Sequence, residues 1–148
     1  MKLVRFLPIP LVALALVATT ASAHDNGKTI TLTGKVVAPP AQIDLGAPGP
    51  SAGDQTIITM DAFQATKKVG TSHVVCTTVR AGISQCENVT TINGNQIASS
   101  GLVTSEEEEQ QPFTQAITGG TGIYRNAHGQ LTVSEAGPEP ATLSFVIS

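Results

Sequence analysis

The chain has 148 residues, of which 13% are charged and 3% aromatic, and it carries a formal net charge of −3. An acidic balance without a basic cluster excludes nucleic-acid binding as a primary role. So few rings also exclude base-stacking platforms and sugar-binding aromatic shelves.

Residues 1–23 read as a secretory signal peptide. Lys2 and Arg5 supply the positive start, Leu11 to Ala18 is a short apolar run, and Ala21-Ser22-Ala23 offers small residues before a cut. That run is too short to span a bilayer as a helix. Cleavage after Ala23 leaves 125 residues with six basic and eleven acidic side chains. That length is enough for one domain with a single core. Residues 24–28 form a flexible N-terminus. The expected location is extracellular or periplasmic, with no membrane contact after cleavage.

From residue 29 the chain reads as β almost throughout, because threonine, valine and isoleucine are common and leucine is scarce. Turn signals at short intervals divide it into strands at 29–38, 55–64, 69–79, 84–92, 96–104, 112–118, 129–135 and 141–147. Ala38 to Gly53, with four prolines and three glycines, is a long loop. Thr121 to Asn126 suits one helical turn. Eight short strands fit an antiparallel barrel, which leaves no sheet edge and can hold a small ligand, or a two-sheet sandwich.

Two cysteines follow the signal, Cys76 and Cys86. In an oxidising compartment a lone pair forms a disulfide, and with three histidines in the chain it does not make a zinc site. The pair flanks Arg80-Ala81-Gly82, so the simplest model is a hairpin with the cysteines opposite each other. Val75 then faces Glu87, Val74 faces Asn88 and His73 faces Val89. Strand alternation puts His73 and Glu87 on one face, as diagonal neighbours, and the cysteines on the other. Asp61 on the preceding strand falls opposite Ser72 or His73, according to the turn at Ala65 to Lys68.

Two readings of this face stand side by side. It is either a solvated surface pair of little energetic value, or a cavity wall on which Asp61, His73 and Glu87 move protons. The remaining polar features carry less. Glu106 to Glu109 reads as a solvated loop, its spacing wrong for a calcium loop. Asn88-Val89-Thr90 matches a glycosylation sequon but lies within a strand. Gly119-Gly120-Thr121-Gly122 lacks the Lys-Ser/Thr and the long helix of a phosphate loop. Its glycines suit a tight corner with positive φ.

A family resemblance emerges from Gly53-Asp54, from Val69-Gly70-Thr71-Ser72-His73-Val74-Val75-Cys76-Thr77, from Cys86-Glu87, from Asn93-Gly94, and above all from the stretch Phe113 to Gly129. Over residues 29–147 the chain resembles the dirigent and allene oxide cyclase-like superfamily, especially its small secreted bacterial members. The resemblance implies an all-β fold, an eight-stranded antiparallel barrel over 29–148 with a hydrophobic cavity and a short helical turn near the glycine-rich corner. It implies cofactor-free control of a reactive apolar molecule, by a cyclase, an isomerase or a dirigent-like stereocontrol protein. A non-catalytic carrier of an apolar ligand is the alternative. A dirigent-like role would need a separate oxidase as partner, and the plant relatives associate as homo-oligomers. Gly119, Gly120, Gly122 and Gly129 match the family's architectural corner. Tyr124 and Arg125 beside them are candidate ligand-binding residues. No catalytic residue is carried over from the family, and no metal or other cofactor is expected.

Overall fold

The computed structural model describes residues 27–104, 111–134 and 140–148. The proposed signal peptide and Glu106 to Glu109 lie outside the described residues. The strands are β1 (Lys28–Val36), β2 (Ala41–Ile43), β3 (Gln55–Gln64), β4 (Lys67–Arg80), β5 (Ile83–Ile92), β6 (Asn95–Thr104), β7 (Phe113–Gly120), β8 (Gly129–Ser134) and β9 (Ala141–Ile147). One turn of 3-10 helix, Gly122–Tyr124, sits between β7 and β8.

Every neighbouring pair is antiparallel. The order β1-β9-β8-β7-β6-β5-β4-β3-β2 closes on itself because β1 also pairs with β3. Nine segments fill eight places in the ring. Val36 pairs with Met60 of β3, and Ala41 resumes the same edge opposite Ile57, so β1 and β2 are one interrupted strand. Pro39 and Pro40 lie in the break, where their missing N–H groups cannot serve the ladder. This is why the segment from Ala38 onward is not wholly loop, as its composition suggested.

The hairpin of β4 and β5 has the expected register: Cys76 faces Cys86, Val75 faces Glu87, Val74 faces Asn88 and His73 faces Val89. The two cysteines are bonded. The β3–β4 register differs from expectation, because Asp61 pairs with Thr71. The turn is tighter than the sequence suggested, with Gln64 pairing Lys67 across Ala65 and Thr66, and a bulge beyond Ala62 returns one residue. Ala65 takes φ 52° to make that corner.

Closure divides every strand into inward and outward residues. The core fills one end of the barrel, with Leu32, Leu131, Leu143 and Phe145 almost fully buried. Each such side chain contributes about 1.5–3 kcal/mol by leaving water. Ile92, Ile97, Tyr124 and Ala127 join the same cluster. The corner after β7 is pinned to the β5–β6 turn. Gln96 N donates to Thr121 Oγ1 at 3.0 Å, and Ile123 N donates to Asn95 Oδ1 at 3.2 Å. Gly122 sits there at φ 57°, with the Asn95 amide where a Cβ would be. At Gly120 a Cβ would meet the Tyr124 carbonyl at 2.6 Å. The expected corner role of these two glycines is therefore met by two different constraints, one of backbone angle and one of space.

Candidate functional site: a cavity in the open half of the barrel

The half of the barrel opposite this plug is hollow. A cavity of about 650 Å³ lies among Met60, Val74, Cys86, Asn88, Gln115 and Leu143, with Val36 and Pro40 at its rim. Its size falls within the 300–1,000 Å³ typical of small-molecule pockets. The walls are hollow because the inward positions toward this end carry small or medium side chains. Gly34 on β1 adds none at all. The Gln115 side chain packs over Gly101, where a Cβ would lie 3.3 Å from its Cγ.

Between the plug and the cavity runs a layer of buried polar groups. Ser72, Asn88, Thr90, Ser99 and Gln115 are each no more than 3% exposed. The Ser72 hydroxyl donates to Asn88 Oδ1 at 2.7 Å and lies 2.9 Å from the Thr90 hydroxyl, which itself lies 3.3 Å from the same Oδ1. On the adjoining strands β6 and β7, Ser99, the ladder partner of Asn88, donates to Gln115 Oε1 at 2.8 Å, and Gln115 Nε2 donates to the Cys86 carbonyl at 3.3 Å. These bonds answer groups whose burial unpaired would cost about 1–3 kcal/mol each. The disulfide is part of the cavity wall, with both Cys76 and Cys86 in its lining.

The candidate proton-transfer face lies outside this cavity. Alternation puts the cysteines inward, so His73 and Glu87 point outward, and both are exposed. The Nδ1 atom of His73 lies 3.3 Å from the Thr59 hydroxyl, on the exterior. Asp61 also faces out, between inward-facing Met60 and Ala62, and forms an ion pair of 2.6 Å with Lys68. Of the two readings of this face, the structure shows the solvated one and corrects the shared cavity: the β4–β5 register is as expected but its His73 and Glu87 face is the outer one, and Asp61, shifted by one residue, lies outside the cavity too. The missed signal was in the cysteines themselves, which are among the most consistently buried residue types. Asn88 and Thr90 share their face, so the acceptor asparagine and the threonine of the sequon are buried in the folded barrel, while Val89 between them points out.

Tyr124 and Arg125 come together at the closed end, beside a shallow hollow that also includes Asn126 and Ser148 and is remote from the main cavity. Burial pushes the Tyr124 phenol above its ordinary pKa, which suits a core residue. At the other end, Asp54 organises the segment before β3. It accepts hydrogen bonds from Leu45 N at 2.8 Å and from the Ser51 backbone and hydroxyl. Donation from those backbone N–H groups holds its carboxyl below the usual range.

This architecture recurs in known proteins. The chain matches the model of the allene oxide cyclase barrel-like domain over residues 29–147. Among solved structures it is similar to a pyocyanin demethylase, at 30% identity and TM-score 0.69, over 82% of this chain and 100% of that one. It shares its fold with the Diels–Alderase AbmU from Streptomyces koyangensis, at 15% identity and TM-score 0.62, over 78% of this chain and 62% of that one. The pterocarpan synthase dirigent protein GePTS1 also shares the fold, at 17% identity and TM-score 0.54, with 82% of each chain covered. A search of curated proteins found no match. Closed ring, interrupted first strand, glycine corner and family match agree: this chain belongs to the allene oxide cyclase barrel-like family.

Proposed function

We propose that the chain is an exported barrel that takes a largely apolar small molecule into its open half and steers that molecule's ring closure, rearrangement or coupling by shape. The observation that carries this reading is the cavity of about 650 Å³ with apolar walls and a floor of neutral amides. Holding a reactant in one conformation can lower a barrier by several kcal/mol without any proton transfer from the protein. Among the described residues that line the cavity there is no acid and no histidine, and the one basic residue, Lys35, has its ammonium turned onto the Phe63 ring, 4.8 Å from the centroid. Conformational control therefore fits this cavity better than acid–base catalysis. A relative 30% identical to this chain is a pyocyanin demethylase, and pyocyanin is accordingly a sensible first ligand.

The same neutral interior favours a second reading, in which the ligand is carried and released unchanged. One experiment addresses both. Nile red and pyocyanin are titrated against the wild type and against Val74→Trp, which places an indole in the cavity. Binding to the wild type, weakened at least tenfold in Val74→Trp, is expected. Equal binding to the two proteins would place the ligand elsewhere and refute the cavity reading. Chromatography of the bound fraction then separates conversion from carriage.

A further inference from the structure

The buried polar layer contains one side chain whose hydrogen bonding is half complete. Asn88 is 3% exposed and lines the cavity. Its Oδ1 is held by Ser72 and lies within reach of Thr90, both of them fully buried. Its Nδ2 donates to no described residue. Gln115 differs, because its oxygen accepts from Ser99 and its nitrogen already donates to the Cys86 carbonyl. Oδ1 is the amide atom that the two hydroxyls engage, which turns Nδ2 away from them. The two N–H donors are then left for whatever occupies the cavity.

No buried side-chain nitrogen or oxygen among the described residues lacks a hydrogen-bond partner, so the Asn88 donors are open to the cavity that Asn88 lines, and that is where an acceptor can meet them. No described acid lies on the inward face to compete for those donors. The geometry points to Asn88 as the residue that reads the polar end of the ligand, donating from Nδ2 to a carbonyl or oxyanion oxygen on an otherwise apolar molecule. Ser72 and Thr90 act as positioning residues, holding the amide in the donating orientation. This assignment rests on the cavity reading above and deepens it by naming the ligand class: a hydrophobic molecule with a hydrogen-bond-accepting oxygen that can reach the floor of the barrel. A donor fixed in a dry site also favours a charge that develops on that oxygen during reaction.

A matched pair of rigid probes tests this, the ketone 9-fluorenone and its hydrocarbon analogue fluorene. Both are titrated against the wild type, Asn88→Leu and Val74→Trp with the disulfide intact. The infrared carbonyl stretch of bound fluorenone is recorded for the wild type and for Ser72→Ala. We expect Asn88→Leu to weaken fluorenone roughly 5- to 10-fold, the loss of one net hydrogen bond, while fluorene changes less than twofold. The carbonyl stretch should fall in the wild type relative to apolar solvent, and return toward the solvent value in Ser72→Ala. If Asn88→Leu does not fold, the infrared pair alone decides. Equal weakening of both probes, or an unshifted carbonyl stretch in the wild type, would overturn the role of Asn88. The cavity reading would still stand in that case, provided Val74→Trp excludes both probes. If neither probe binds the wild type, the cavity reading falls and the Asn88 assignment with it.

Discussion

Two residues can look alike in sequence and do different work once placed. Gly120 and Gly122 are two positions apart, yet Gly120 is held by crowding from the Tyr124 carbonyl, while Gly122 is held by its left-handed φ of 57°. A β-branched side chain at Gly122 meets both a conformational penalty of about 1–2 kcal/mol and the Asn95 amide beneath it. Gly122→Val should therefore melt at least ~5 °C below the wild type in a calorimetric scan. An unchanged melting temperature would mean that the corner relaxes at no cost. Among polar residues the contrast is sharper. Glu87 and Asn88 are adjacent, but only Asn88 faces inward, so Asn88 and not the carboxylate belongs to the candidate site. The sequence pointed to the acid because charge is conspicuous. Apart from the two cysteines, nothing local distinguishes an inward from an outward position when both faces of a strand are of mixed polarity.

At the scale of the element, the β4–β5 hairpin shows how far one covalent constraint extends. Pairing Cys76 with Cys86 sets the register from Gly70 opposite Ile92 to Thr78 opposite Ser84. The bond closes a separation of ten residues, which corresponds to a stabilisation of about 2–3 kcal/mol in the chain-entropy model. Reduction should lower the melting temperature by roughly 10 °C. It should also weaken ligand binding, because the same bond is part of the cavity wall. Equal melting of the reduced and oxidised proteins would show that the ladder alone holds the hairpin. The β3–β4 hairpin lacks such a clamp. There the register depended on a two-residue turn and a bulge beyond Ala62, neither of which has a distinctive residue pattern.

For the whole molecule, the division into a plugged half and a hollow half predicts how binding responds to pH. Among the described residues Tyr124 is in the core, where burial pushes it upward from a phenol's usual value, and Lys35 lines the cavity with its ammonium turned onto the Phe63 ring. Near the mouth, Asp54 is ionised in its hydrogen-bonded form. A lowered folded-state pKa contributes order above the ordinary carboxylate range and loses it as the pH falls through the lowered value. Affinity for a neutral probe such as Nile red should accordingly be flat between about pH 5 and 9, and His73→Ala and Glu87→Ala should each leave it within twofold. A titration in affinity centred near neutrality and abolished by His73→Ala would return His73 to the site.

Strand content, the turn signals, the β4–β5 register and the corner at Gly119 to Gly129 are local properties. Alternation, β-branched composition, turn residues and one disulfide encode them over a few residues each, and sequence alone determined them. Which face of each strand points inward is not local. It is decided only when eight places close into a ring and β1 meets β3, because closure selects one side of all the strands at once. The cysteine face packs small and apolar groups against each other across the barrel, whereas enclosing the other face would bury His73, Glu87 and Asp61 away from water and from Lys68. The tertiary structure therefore turned the acids outward, put Asn88 on the cavity floor, and placed in one wall a disulfide whose partners were legible from the start.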